Sequence, residues 1–397
     1  MNEKPSEKSK KKINLSEFKA KLKYELFESV LPFWETHSPD KNYGGFFNCL
    51  DYDGNIYDTR KHIWLQGRQT WLFAKLYRTV EPNERWLEIA KSGIKFLISH
   101  AEREDGRVYF EMTQNGTPIY LQRKIFTECF FTMALAEYGR ATSSDRYIEH
   151  ARTSFERIWQ WSKDLSQLGR PHYDGSPVMH SLAIPMILLN LIEEISGNNM
   201  ANYSKRVDIC IDKILQHVDS KRKIVLENTG PDGEYLSHSY DGRLLNPGHA
   251  IETGWFLQHW ALKREDHDLS LTAADIIRWM FDKGWDSKHG GIFYFLDSEN
   301  YSPVQLEWSQ KLWWPHTEAL YATLQNLTLF GREDDKKRFN LVREYTLTHF
   351  PDEEHGGWFG YLNRRGEINQ HFKGGPYKGC FHVPRSLYLC LKWLDEI

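Results

Sequence analysis

Two histidines stand at what the sequence marks as helix starts: His249 in NPGHAIETGWF and His382 in KGCFHVPR. A third, His316, sits in WWPHTE just before Glu318, and Glu252 follows His249 by three residues. Proline is favoured in the first helical turn, where its missing N–H is not needed, so Pro247, Pro315 and Pro384 put these polar groups at helix N-termini. The free backbone N–H groups there disfavour a nearby positive charge by about 0.3 to 1 kcal/mol, which keeps an imidazole neutral and basic. Glu252, on the same helix face as His249, would oppose that effect and orient the ring. An ordinary imidazole pKa near 6.5 lets a neutral base and a protonated acid coexist around pH 7. Two such groups in one cavity suit a reaction that removes a proton from one face of a planar intermediate and returns one to the other.

Each of these residues also has a plainer reading. His249 could simply cap its helix, Glu318 could complement the helix dipole, and Arg68 in WLQGRQTW could form a buried ion pair as readily as it could touch a substrate. For His180 in PVMHSLAIPM, position alone favours packing. Glu252 with Glu318 could instead be the carboxylate pair of a glycoside hydrolase. His249 and Glu252 could begin a metal site, but no further ligands carry a signal, so no metal is expected. Phosphate-binding, dinucleotide, nucleophile-elbow and zinc-protease motifs are all absent.

The elements that must position these groups are mostly helices. Leu15, Phe18, Leu22, Leu26 and Val30 recur at helical spacing, with Asn14 and Glu17 placed as a capping box. Comparable patterns appear in RQTWLFAKLYRTV, ERWLEIAKSGIKFLISHA, FTMALAEYGRA, IPMILLNLIEEISG, YSKRVDICIDKILQHV, LTAADIIRWMFDKGW and PHTEALYATLQNLTLFG. Between them one short pattern returns, as DKNYGGFFNCLDYDGN from Asp40, DSKHGGIFYFLDSEN from Asp286 and DEEHGGWFGYLNRRGE from Asp352, with a fainter copy, EDGRVYFEMTQNG, from Glu104. Their spacing implies a repeat of about 65 residues, the length of a helical hairpin with a decorated loop. Six such units fill the chain. A closed (α/α)6 barrel, all-α with short β-hairpins in the loops of one rim, is therefore expected. The apolar final segment SLYLCLKWLDEI favours closure over an open solenoid, whose end would be polar. In a closed ring the inner helices would bring His249, His316, Glu318 and His382 over one pocket.

The bulk properties narrow the partners. A formal charge of -3 over 397 residues lacks the basic footprint of a nucleic-acid binder. Aromatic residues at 14% suit the C–H faces of sugars. Five scattered cysteines indicate neither disulfides nor zinc. Residues 1–12 are expected to be a disordered lysine-rich tail, ahead of a single catalytic domain over 13–397. The run LAIPMILLNLI is shorter than the roughly 20 residues of a membrane span. A cytoplasmic protein with a small-molecule partner is expected.

Several segments together resemble the N-acylglucosamine 2-epimerase family: FWETHSPDKNYGGFF, WLQGRQTWLF, RKIFTECFFTMALAE, VLENTGPDGE, NPGHAIETGWF, QLEWSQKLWWPHTEALYA and KGGPYKGCFHVPRSL. They span most of the chain, and NPGH, KLWWPH and KGCFHVPR resemble the acylglucosamine branch more than the cellobiose 2-epimerases. The resemblance implies an α/α barrel that interconverts N-acetylglucosamine and N-acetylmannosamine through a C2 enediolate. It implies His249 and His382 as the catalytic pair and Arg68, Glu252 and Glu318 as pocket residues. Trp314 of KLWWPH joins the substrate-binding set, as does His180, which falls near a position where cellobiose epimerases carry a further histidine. The resemblance further implies no required cofactor, ATP as an allosteric activator, and a homodimer. Aldose-ketose isomerisation, or epimerisation of cellobiose or mannose, is the alternative on the same scaffold.

Overall fold

Outer and inner helices alternate along the chain in the computed structural model, which describes residues 15–169, 173–197 and 199–396. The outer set begins with α1 (Leu15–Tyr24), which runs through a π-helical turn (Glu25–Val30) into α2 (Leu31–His37). It continues with α4 (Glu84–Phe96), α6 (Asp145–Lys163), α8 (Ser204–Leu215), α10 (His267–Gly284) and α12 (Glu333–His349). The inner set is α3 (Ile63–Thr79), α5 (Phe126–Ala141), α7 (Ala183–Ser196), α9 (Pro247–Arg264), α11 (Trp313–Phe330) and α13 (His382–Glu396). The lysine-rich tail expected over 1–12, and Asn14 of the expected capping box, lie outside the described residues.

Each inner helix packs on the next, from α3 through α5, α7, α9 and α11 to α13. The ring then closes: the Thr79 and Tyr388 hydroxyls meet at 3.0 Å between α3 and α13, and Lys19 of α1 pairs with Asp395 of α13. The open solenoid is thereby excluded, and the apolar last helix is accounted for by its inner position. Burial explains the contrast between the two layers. Trp313 to Asn326 of α11 are buried without a break, whereas α12 buries only Asp335, Phe339, Val342, Tyr345 and Thr346. A helix enclosed on all sides reads as apolar throughout; one lying on the surface shows a single stripe.

Every strand falls in a connection that leads from an outer helix to the next inner one, so all of the small antiparallel sheets decorate one rim. The strand Lys61–His62 runs straight into α3, and Lys311–Leu312 into α11. In the same way His180–Ser181 precedes α7 and Leu244–Leu245 precedes α9. The inner helices therefore start at the decorated rim.

The Gly-Gly repeat is a structural module. In each full copy an aspartate caps two backbone N–H groups of its own loop and also binds a buried lysine. Asp40 takes N–H from Asn42 and Tyr43 and pairs with Lys61 at 2.8 Å. Asp286 pairs with Lys311 at 3.2 Å, and Asp352 with Lys373 at 2.7 Å. Each lysine also donates to a carbonyl of the glycine pair: Gly44, Gly291 and Gly356. Both glycines of every pair have positive φ, and a Cβ on Gly45 would lie 2.6 Å from the Gln66 side chain. The fainter copy lacks the lysine; Arg107 pairs instead with Glu128 at 2.7 Å.

Candidate active site

At the decorated end of the ring a cavity of about 800 Å³ opens, lined by residues from α3, α5, α7, α9, α11 and α13 and from the rim strands. Arg68, His249, Glu252, Trp314 and His382 all line it. Glu318 lies directly behind His382.

His249 occupies the first turn of α9, but it does not cap that helix. Asn246 does, accepting the His249 backbone N–H at 3.2 Å, and the imidazole is left free. Its Nδ1 faces Glu227 Oε1 at 3.0 Å and Oε2 at 3.2 Å. A carboxylate can only accept, so Nδ1 is the donor and Nε2 remains available. Burial pulls the pKa of this histidine down, but the Glu227 carboxylate, helped by Glu252, outweighs burial and raises it. The sequence had assigned the orienting role to Glu252; the structure gives that contact to Glu227.

His382 opens α13. Its Nδ1 faces Glu318 Oε1 at 2.8 Å, which again leaves Nε2 as the free atom. Glu318 is held in turn by Trp255 Nε1 at 2.9 Å and by Arg385 Nη2 at 2.7 Å. The same Arg385 nitrogen binds Glu252 at 2.6 Å. Burial, then the Arg385 and Arg68 cations, drive the His382 pKa well below the usual value, against the pull of Glu252. The two imidazoles are thus built alike and tuned in opposite directions. Trp314 packs against both, its ring centre 5.2 Å from that of His249 and 5.9 Å from that of His382.

Arg68, from α3, makes no ion pair and no side-chain hydrogen bond among the described residues. Its guanidinium lies between the rings of Phe130, Trp64 and Phe381, at 4.0, 4.6 and 4.9 Å. Burial and the neighbouring Arg385 bring its pKa down to about 9, with Glu252 and Glu318 opposing. The buried ion pair considered from sequence is not formed; the charge faces the cavity.

Ligand atoms of Glu252, Glu318 and His382 lie within 4.8 Å of one another, a spacing that would suit a cation. Arg385 Nη2 bonds both carboxylates, so the cation serving this cluster is a guanidinium.

Two expected members do not join the site. His316 is fully buried beside the cavity: its Nδ1 bonds the Leu312 carbonyl at 2.6 Å and its Nε2 accepts the Ile292 N–H at 2.8 Å. It serves as a backbone clamp in the second Gly-Gly module. His180 is exposed on the strand that precedes α7, paired with Thr229, and is not among the residues that line the cavity. Its exposure removes the packing role considered from the sequence. Sequence reasoning missed Glu227 and Arg385. The signal for Arg385 was its place one turn after His382; Glu227 sits in a loop where no periodicity points to it.

The family model for N-acylglucosamine 2-epimerase (GlcNAc 2-epimerase) matches residues 45–383. An N-acylglucosamine 2-epimerase of Bos taurus is 44% identical, covering 98% of this chain and 94% of its own length. One of Homo sapiens is 42% identical, covering 98% and 92%. Among solved structures, the cellobiose 2-epimerase from Bacillus thermoamylovorans B4167 superposes with a TM-score of 0.82 at 20% identity, covering 96% of this chain and all of that one, and so shares the fold. On the extent of the family match and the identity of these relatives, the chain belongs to the N-acylglucosamine 2-epimerase family.

Proposed function

We propose that the protein interconverts N-acetylglucosamine and N-acetylmannosamine by proton transfer at C2 of the open-chain sugar. The observation that carries this reading is the pair of imidazoles in one cavity, each with Nδ1 tied to a carboxylate and Nε2 free, with opposite shifts in proton affinity. The C1 aldehyde acidifies the neighbouring C–H. His382 Nε2, kept neutral, takes the C2 proton, and the electron pair moves into the carbonyl to give a planar enolate, not an enediolate, because C2 carries nitrogen. His249 Nε2, which holds a proton more tightly than an ordinary histidine, delivers it to the other face, and the C1 carbonyl re-forms. In the opposite direction the two exchange tasks. Arg68, with no ion-pair partner among the described residues, is placed to stabilise the negative charge that develops on oxygen. Glu252 and Glu318 position Arg385 and His382.

The carboxylates support the epimerase over a hydrolase. A hydrolase needs its pair on either side of a glycosidic bond, whereas Glu252 and Glu318 bind the same guanidinium nitrogen.

Incubating N-acetylmannosamine with the enzyme in D2O should place deuterium at C2 of the N-acetylglucosamine formed, read by NMR. His249→Ala and His382→Ala should each cut turnover by about 10²-fold or more without unfolding the protein. A product that keeps its C2 protium, or near-normal turnover in either variant, would refute the paired assignment.

A further inference from the structure

Asn190 has no place in the proton-transfer scheme, yet it is a polar side chain deep in the cavity wall. It is 5% exposed, lines the cavity, and makes no side-chain hydrogen bond among the described residues. Its amide atoms are not sealed in the core, so the carboxamide reaches the cavity. It ends a stripe on α7 formed by Ala183, Met186, Ile187 and Asn190, all on the cavity wall. Phe256, two turns along α9 from His249, lines the cavity at the adjoining helix. A buried amide with unmet hydrogen-bonding capacity beside apolar side chains matches an acylamino group, which offers a carbonyl, an N–H and a short alkyl end.

The chemistry gives such a group a fixed place. When the acid and base work on the two faces of the enolate, the nitrogen on C2 stays in the plane, as do C1 and C3. Only the hydrogen changes sides. The N-acyl group is therefore common to substrate, intermediate and product, and can be held throughout at the edge of the reacting centre. On the C2-epimerase reading above, we propose that Asn190 donates its amide N–H to the acyl carbonyl, while Met186, Ile187 and Phe256 enclose the acyl methyl. This subsite would give the enzyme its selection for N-acyl hexosamines.

An interaction kept equally in ground and transition states lowers KM rather than raising kcat. Asn190→Ala should therefore raise KM for N-acetylmannosamine about tenfold, the worth of one hydrogen bond, with kcat close to that of the unaltered enzyme. A loss confined to kcat, or an unchanged KM, would overturn the assignment. Met186→Ala supplies an independent reading. By opening the apolar wall it should raise kcat/KM for N-butanoylmannosamine relative to N-acetylmannosamine by about fivefold, roughly the worth of one buried methylene; an unchanged ratio would overturn the subsite. Failure of the unaltered enzyme to epimerise N-acetylmannosamine would instead refute the C2-epimerase reading itself.

Discussion

His382 Nδ1 lies 2.8 Å from Glu318 Oε1, and this contact does not make the histidine more basic. Glu318 also receives Arg385, and burial together with the Arg385 and Arg68 cations leaves His382 with a depressed pKa. At His249 the balance is reversed, because no cation stands between it and Glu227. The active form of such a pair holds one proton between two sites. Pushing the two affinities apart widens the pH range over which that form dominates.

The kcat/KM profile should accordingly show a broad plateau, with an acid limb well below pH 6.5, where His382 takes up a proton, and an alkaline limb above 6.5, where His249 loses one. Glu227→Gln removes the negative charge that stabilises the His249 cation. Its pKa then falls, and the alkaline limb moves to lower pH while the acid limb stays. At pH 8 the variant should lose about tenfold in kcat/KM. A stopped assay at intervals from pH 5 to pH 9 checks both limbs, and a fixed alkaline limb would count against this division of labour.

His316 should make the fold sensitive to acid. Burial, with Lys311 and His349 adding to it, holds its pKa at about 3 despite the Leu312 carbonyl, whereas the unfolded chain titrates near 6.5. Below 6.5 the unfolded state therefore binds a proton that the folded state refuses, and stability falls with pH by up to about 1.4 kcal/mol per unit. In urea unfolding between pH 6.5 and 4, His316→Gln should show the shallower dependence, although it starts from lower stability at pH 7.

Lys61→Met leaves Asp40 buried without its cation. Side-chain exposure at this pair is 0% and 1%, so the loss should be about 3–5 kcal/mol, seen as a lower urea midpoint. The double variant with Asp40→Asn should recover part of that loss, because the stranded charge has been removed.

Gly248→Ala tests the Trp314 ring. A Cβ at Gly248 would lie 2.7 Å from the indole and 2.9 Å from Pro315. The indole would have to shift, and both histidines lean on it. Turnover should fall by about tenfold or more with little change in thermal stability, since displacements of about an ångström are costly to positioned groups.

The helical layers, the repeat and the cavity-wall residues His249, Glu252 and His382 were legible because each leaves a local mark. Inner helices are apolar all round, and proline beside histidine marks the start of α9, α11 and α13. Of the charged outer helices, α12 carries a weak stripe and gave no comparable signal, whereas α6 has a clear one, Ala151, Phe155, Ile158 and Trp159, among many charges. The lysines of the Gly-Gly modules were invisible for another reason: Lys61, Lys311 and Lys373 read as surface residues until the fold buries them. His316 was misplaced because its setting in WWPHTE resembles that of His249 in NPGHAIE. Only the backbone of the neighbouring loop, through the Ile292 N–H, shows that its ring turns away from the cavity. Glu227 reaches its partner through loop placement, which no periodic pattern records, and Arg385 meets Glu252 and Glu318 only once the ring closes.

The seam that closes the ring has a bearing on how the enzyme matures. Trp358 Nε1 reaches Glu25 at 2.8 Å, and Thr79 meets Tyr388, across more than three hundred positions of chain. During synthesis, Arg68 and His249 emerge long before His382, which comes after every other helix of the circle. Nascent chains would pack the earlier helices while the proposed catalytic centre still lacks one wall. Chemical competence would then arrive in one late step, when the last helix wedges between its neighbours.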